Sequence, residues 1–310
     1  MAKGRPAAPS RDLAWIASVL QMKVQALQEF AGSANNSYRT HRKRKADGGY
    51  RLISEPSPLL KTMQQAILLR VLRGFANQRD LSAVVVRDPV ANARAHLGTQ
   101  YITVLDVRNA FPSTPSGRVV AALRARGFKI DAAKLIARLC TNGGQLPQGA
   151  PTSNALLDIV LIEFDRAVGA RCRAAGACYT RYVDNIAVSA PRSVSTIEAF
   201  IASRLSQLGF VLNQAKTLRG GLTVPVAITG VETGKSLRVR PEMVARTRGK
   251  LRAAQDAPSE ELSSLLGLLA WMRRVNRRQA AALIRHHAPP GTSVGRALRP
   301  RARNRHAGRT

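Results

Sequence analysis

The sequence predicts an α+β body followed by a helical appendage. Strand-like and helix-like stretches alternate as far as residue 240, and only helical patterning follows. In addition, 45% of the 310 residues are hydrophobic, enough for a substantial core in one large domain or a few subdomains.

Taken in order, residues 1–12 form a small-residue basic lead. Leu13, Ile16, Ala17, Leu20, Val24 and Leu27 then form a stripe that predicts one helix over 13–31, capped by Ser10. The stripe continues across Lys23, so the segment reads as a helix and not as a signal core. Residues 35–49, NNSYRTHRKRKADGG, read as a basic loop or hairpin tip, and YRLI opens a short strand stopped by Pro56 and Pro58. Leu59, Met63, Ile67, Leu68, Val71, Leu72 and Phe75 predict a helix over 59–77.

YITVLD (101–106) reads as a buried strand. Helices are expected at GRVVAALRARG and at DAAKLIARLC, the second capped by Asp131, and a long apolar helix is expected over 152–168. CYTRYVDNIAVSA (178–190) reads as a hairpin. Ser195 and Glu198 fit a capping box opening the next helix. Short strands follow around 223–240, then helices over 241–255 and 260–285, and the end reads as a disordered basic tail.

Charge narrows the partners. The formal net charge is +31, from 49 Lys plus Arg against 18 Asp plus Glu. So large an excess calls for a polyanion, and a pI near 11.7 points first to nucleic acid. The hydrophobic content excludes a disordered basic tail, and the composition excludes collagen-like, disulfide-rich and acidic proteins. Cys140, Cys172 and Cys178 form no C-x-x-C pair, and five His lack zinc spacing; reduced thiols and a cytosolic compartment are expected. No apolar run reaches the roughly 18 to 20 residues of a membrane helix.

In a chain with few acids their placement carries weight. Asp106 ends an apolar strand and Asp184 sits in the turn of a hairpin. Were the two strands neighbours, the carboxylates would converge, and two hard oxygen ligands on rigid strands suit Mg²⁺. Asp-Asn is equally ordinary turn chemistry for a hairpin.

Four ordered segments resemble the reverse transcriptases: LDVRNAFPST (105–114), LPQGAPTSNALLDIVLIEFD (146–165), RYVDN (181–185) and GFVLNQAKT (209–217). Finer features resemble the retron enzymes of bacteria. These are YRT (38–40) with YRLISEPSPLLKTMQQAIL (50–68), NARAH (92–96), ITG (228–230) and SLLGLLAWMRRVN (264–276). The resemblance covers roughly residues 35–285. It implies a right-hand polymerase with an antiparallel palm sheet and a helical thumb. An N-terminal helical extension (1–34) would precede fingers (35–100), palm (101–226, with part of the fingers), thumb (227–288) and a basic tail (289–310).

The resemblance also implies roles. Asp106 would bind two Mg²⁺ ions, Asp184 one of them, and the Val107 carbonyl would add a ligand. Ala110 and Phe111 would line the nucleotide, Phe111 blocking a 2′-hydroxyl; otherwise Phe111 is a core ring. Gln148 and Gly149 would lie against nucleotide and template, although LPQGAP alone is an ordinary turn. Arg51 would hold triphosphate oxygens and Lys216 would approach the leaving pyrophosphate; both are otherwise solvated cations. Asn92 and His96 would contact RNA or form a local hydrogen-bond pair. Thr229 and Gly230 would also meet RNA, as would Arg246, Arg248, Lys250 and Arg252 on one basic helix.

One departure matters: where the family has a second aspartate, this chain has Asn185. Three readings follow: an active enzyme with slower chemistry, a binding protein without catalysis, or an engineered trap. For an active enzyme, the resemblance to retron enzymes implies RNA-directed DNA synthesis on a cognate structured non-coding RNA, giving a branched RNA–DNA hybrid (msDNA) from dNTPs. It also implies a role in antiphage defence beside a separate effector protein. A group II intron-like or defence-associated reverse transcriptase is the alternative within the class.

Overall fold

The computed structural model describes residues 10–44, 48–76, 84–254, 259–288 and Gly295. The expected basic tail apart from Gly295, the first nine residues and the tip of the basic loop (45–47) lie outside them. The chain forms two compact units, Met1–Val86 with Thr103–Thr217, and Arg87–Ile102 with Leu218–Thr310. They cut the chain differently from the expected domains, since 87–100, expected in the fingers, belongs with the C-terminal residues.

The first unit opens with two helices where one was expected, α1 (Leu13–Leu20) and α2 (Val24–Gly32). Gln21 takes a left-handed conformation, φ 55°, and its N–H closes on Ala17 and Ser18, which ends α1. The cap is Asp12, not Ser10: its carboxylate accepts from the Trp15 N–H at 2.9 Å. Strands β1 (Tyr38–Arg44) and β2 (Tyr50–Pro56) form an antiparallel hairpin, Tyr38 opposite Pro56 and Arg44 opposite Tyr50. β1 is mostly charged and carries no apolar alternation, so only its pairing with β2 reveals it as a strand. Pro58 opens α3 (Pro58–Ala66), which runs through a π-helical stretch (Ile67–Leu72) into α4 (Arg73–Ala76).

Strand β3 (Tyr101–Asp106), which follows α5 (Pro89–Ala95) in the chain, leads into α6 (Ser116–Arg124) and α7 (Ile130–Cys140). Asp131 does not cap α7: the cap position is Lys129, and Asp131 sits in the first turn, where its charge meets the helix dipole. The long apolar helix is likewise two, α8 (Ser153–Val160) and α9 (Ile162–Ala174), broken at Leu161. The hairpin β4 (Cys178–Tyr182) and β5 (Asn185–Ala190) pairs Tyr182 with Asn185. In α10 (Ser195–Gln207) the cap position is Val194 and no capping box forms. Instead the Ser195 N–H donates to the Ser193 hydroxyl at 3.3 Å.

The sheet order β4-β5-β3 makes β5 the neighbour of β3. One core runs through this unit, including Ile16, Leu27, Leu60, Ile67, Leu105, Leu123, Phe128, Leu157, Phe164, Ile186, Ile201 and Phe210. The hydrophobic burial of these side chains, at ~25 cal/mol per Å² of apolar area, is what holds helices against the sheet.

The second unit contains α5 (Pro89–Ala95), whose first N–H groups, on Val90 and Ala91, donate to Asp88. Strand β6 (Leu218–Gly220) precedes a three-stranded antiparallel sheet, β7 (Val226–Ile228), β8 (Val231–Thr233) and β9 (Arg238–Val239). Helices α11 (Pro241–Ala253), α12 (Ser259–Val275) and α13 (Arg277–His287) follow. The helix expected over 260–285 is thus split at Asn276. The Asn276 carboxamide accepts from the Gln279 N–H at 3.0 Å and donates to the Leu237 carbonyl at 2.8 Å. Among the described residues no helix is long and apolar enough to cross a membrane. All three cysteines are free thiols.

The Asn276 cap is testable. Asn276→Ala is expected to lower stability by about 1 kcal/mol in chemical denaturation. An unchanged midpoint would show that the break between α12 and α13 is set elsewhere.

Candidate functional site

The β5–β3 pairing brings Asp184 to Asp106. The Val107 N–H donates to the Asp184 carbonyl at 3.0 Å, so the hairpin turn is tied to the end of β3. On the other side of β3, Arg108 donates its N–H to the Val211 carbonyl at 2.8 Å, and the Asn213 N–H donates to the Asp106 carbonyl at 2.7 Å. Neither bond uses the Val107 carbonyl. The Asn213 carboxamide also donates to Asp106 Oδ1 at 3.3 Å. Lys216 Nζ lies 3.7 Å from the same oxygen, with the Asp106 side chain 17% exposed and Lys216 49%.

Burial, and after it the charge of Asp106, pushes the Asp184 carboxyl above the ordinary carboxylate range. Asn185 and Lys216 act the other way, the Asn185 amide donating to Asp184 Oδ1 at 3.2 Å. A carboxyl raised by folding adds stability while protonated and costs the fold stability once it ionises. A cation between Asp106 and Asp184 would offset that cost. The donors would be hard oxygens (two carboxylates, with the Val107 carbonyl expected beside them), a set that suits a divalent ion of the Mg²⁺ kind. Among the described residues no group of three or more His, Cys, Asp and Glu gathers, at this pair or elsewhere.

The other predicted residues fall into separate places. Ala110 is buried and Phe111 is half-buried against the core. Arg51 is exposed on β2, opposite Lys43. The loop carrying Gln148 and Gly149 docks on that strand, the Ser54 N–H donating to the Gln148 carbonyl at 2.7 Å. Gly149 has φ +115°, and a Cβ there would lie 3.0 Å from Ile53 Cγ2 and 3.2 Å from the Ser54 carbonyl. Glycine is therefore required for this contact with β2, whatever it offers a substrate.

Of the residues expected to meet RNA, Arg246, Arg248, Lys250 and Arg252 are exposed on α11, while Thr247 and Leu251 face inward. Thr229 and Gly230 form the two-residue turn between β7 and β8, both at positive φ. The Thr229 hydroxyl donates to the Pro89 carbonyl at 3.0 Å. Asn92 and His96 are 1% and 0% exposed. Such burial keeps both side chains off the surface and lowers the His96 pKa to about 4, so the ring is neutral.

Sequence reasoning missed the group behind the turn. Arg181 is 0% exposed. Its Nε and Nη2 donate to the two oxygens of Asp165 at 2.9 and 2.6 Å, and Nη1 donates to Asp158 Oδ1 at 2.8 Å. Tyr179 donates its hydroxyl to Asp165 Oδ1 at 2.6 Å. Burial alone would favour a neutral guanidine, yet Asp165, with Asp158, holds the Arg181 pKa above the ordinary value. The available signal was two acids, Asp158 and Asp165, inside an apolar run of an acid-poor chain. Asn213 was within a quoted motif without a role.

A family described as reverse transcriptase (RNA-dependent DNA polymerase) matches residues 43–232. The Retron Mx65 reverse transcriptase of Myxococcus xanthus is 32% identical over 276 residues, 80% of this chain and 64% of that enzyme. The Retron Ec86 reverse transcriptase of Escherichia coli is 25% identical over 270 residues, 85% of this chain and 84% of that enzyme. The chain thus spans less than two thirds of the Mx65 enzyme. Among solved structures, telomerase from Candida albicans with a fragment of telomeric RNA has a TM-score of 0.50 at 12% identity. That likeness covers 80% of this chain and 56% of the telomerase, and it concerns the fold.

Two outcomes check this geometry. In the metal-free protein, the Asp184 carboxyl followed by NMR is expected to titrate above the ordinary carboxylate range. Asp106→Asn should lower that midpoint only in part, because burial is the larger cause; a midpoint already in the ordinary range would contradict the site. Gly149→Ala, forced into a glycine conformation against β2, should cost about 1–3 kcal/mol in denaturation, and no loss would mean that the loop does not depend on β2.

Proposed function

The chain belongs to the reverse transcriptase family, with retron enzymes among its relatives, and from that premise we propose that it copies a cognate structured RNA into DNA. The observation that carries this reading is the convergence of Asp106 and Asp184 from neighbouring strands, with Lys216 beside them. In the reaction a primer hydroxyl attacks the α-phosphorus of a dNTP. The new P–O bond forms as the bond from the α-phosphorus to the oxygen shared with the β-phosphate breaks; the hydroxyl loses its proton, one negative charge stays on the new phosphodiester, and pyrophosphate carries away the rest.

Asp106, Asp184 and the Val107 carbonyl would hold Mg²⁺, two ions in all. Bound there, Mg²⁺ supplies Lewis-acid stabilisation of the attacking and leaving oxygens. The protein's part is positioning and electrostatics. Lys216, already at Asp106, supplies a positive charge and a proton for the leaving pyrophosphate. Arg51 offers a planar fork for triphosphate oxygens, and Phe111 a ring against the sugar. Gln148 and Gly149 border the nucleotide and template. The exposed basic face of α11 suits an RNA backbone, as does the net charge of +31.

Asn185 keeps the shape of an aspartate and donates to Asp184, but brings one negative charge fewer. It weakens the attraction for a divalent ion without removing the two carboxylates. In the finer reading, synthesis starts from an internal guanosine 2′-hydroxyl and yields a branched RNA–DNA hybrid that serves antiphage defence with a separate effector protein. The retron relatives support that reading.

The protein with its copurified RNA, given Mg²⁺ and dNTPs, should extend a DNA strand visible on a denaturing gel. Asp106→Ala should reduce the rate at least about a thousandfold, equivalent to the several kcal/mol such a ligand supports. Asn185→Asp should raise it. Product only from Asn185→Asp would make the natural chain an RNA-binding scaffold instead.

A further inference from the structure

Arg181 heads the largest side chains with essentially no exposure among the described residues. Desolvating a guanidinium and two carboxylates costs several kcal/mol per ion, and well-packed apolar side chains often hold a fold as well. Stability is therefore a weak reason for an ion cluster at this place. What an apolar residue could not do is bond the turn. Arg181 Nη1 donates to the Val183 carbonyl at 2.7 Å.

Val183 has φ 58°, a conformation that β-branched residues rarely adopt. Such a residue persists only where its surroundings over-determine it. Here the surroundings are identifiable. The Val183 carbonyl is held by Arg181, and the next carbonyl, of Asp184, is held by the Val107 N–H at 3.0 Å. Arg181 is itself fixed from both sides. Asp158 and Asp165 grip its side chain. Its backbone N–H donates to the Val84 carbonyl at 2.8 Å, and its carbonyl accepts from the Val86 N–H at 2.9 Å.

We propose that Arg181, clamped by Asp158 and Asp165, is a positioning residue that locks the Val183 peptide left-handed and so aims Asp184 at the cation shared with Asp106. This rests on reading Asp106 and Asp184 as a metal-holding pair. Arg181 touches neither substrate nor metal; it acts through the turn, as outer-shell groups orient metal ligands elsewhere.

The test uses the full chain with its copurified RNA. Removing the cluster together, Arg181→Met with Asp158→Asn and Asp165→Asn, leaves no uncompensated buried charge. Mn²⁺ affinity is measured by electron paramagnetic resonance without dNTP, and kcat and KM for dNTP by extension. Mn²⁺ affinity and kcat should each fall about 10- to 100-fold, with RNA affinity and melting temperature retained and KM little moved. Adding Val183→Gly should recover part of both losses, since glycine takes positive φ freely. Mn²⁺ affinity and kcat equal to the parent's in the folded triple variant would overturn the proposal. Should that variant not fold, Arg181→Lys serves: its ammonium keeps the charge but cannot reach all four acceptors. Weaker Mn²⁺ binding restored in part by Val183→Gly would support the proposal, and parental Mn²⁺ binding would overturn it. Because Mn²⁺ binding is read without DNA synthesis, a parent that binds Mn²⁺ but extends nothing fails the polymerase reading alone.

Discussion

A buried guanidinium between two carboxylates is the constraint around which the hairpin carrying Asp184 is arranged. Arg181 sits on β4, next to β5, the partner of β3, and holds residues from four other places. Asp158 comes from α8 and Asp165 from α9, on either side of the break at Leu161. Val183 comes from the turn, and Val84 and Val86 flank the outer edge of β4. None of these segments is close to all the others in sequence. A strong, directional and fully desolvated group is a physical means of fixing their relative positions, because each broken bond would leave a buried charge or carbonyl without a partner.

The same economy of acids governs the rest of the first unit. With 18 carboxylates against 49 Lys and Arg, acids are scarce, and several have structural or chemical tasks. Asp158 and Asp165 fix Arg181, and Asp12 caps α1. Asp106 and Asp184 face each other across neighbouring strands, where burial and mutual repulsion make a cation welcome. Asn185 fits this pattern: it carries no charge and donates to Asp184 instead of repelling it. The uncompensated cations, among them the exposed row on α11, are left for a polyanion.

The α+β arrangement, and the strand and hairpin that carry Asp106 and Asp184, were legible in the sequence, because a buried strand and a hairpin have strong local signatures; that the two strands are neighbours was not. The reverse transcriptase family was legible too, in four motifs in the right order. What escaped has local physical causes. Gln21, Leu161 and Asn276 break helices whose apolar stripes run on without interruption, and neither an αL residue nor a side-chain cap alters that periodicity. Ser10, Asp131 and Ser195 are good capping residues, but Asp12, Lys129 and Val194 occupy the cap positions. β1 has no alternation because both faces of its hairpin are largely exposed. Arg181 stood inside a quoted motif, yet its partners lie 16 and 23 residues away. Only the folded chain shows that it belongs to the turn.

The central claim is that Asp106 and Asp184 form one cation site despite Asn185. Anomalous X-ray diffraction from crystals of the protein with RNA template, primer and Mn²⁺ tests it most directly. The account predicts a manganese peak bounded by carboxylate oxygens of both Asp106 and Asp184. Manganese bound only elsewhere, or at one of the two aspartates with the other turned away, would contradict it.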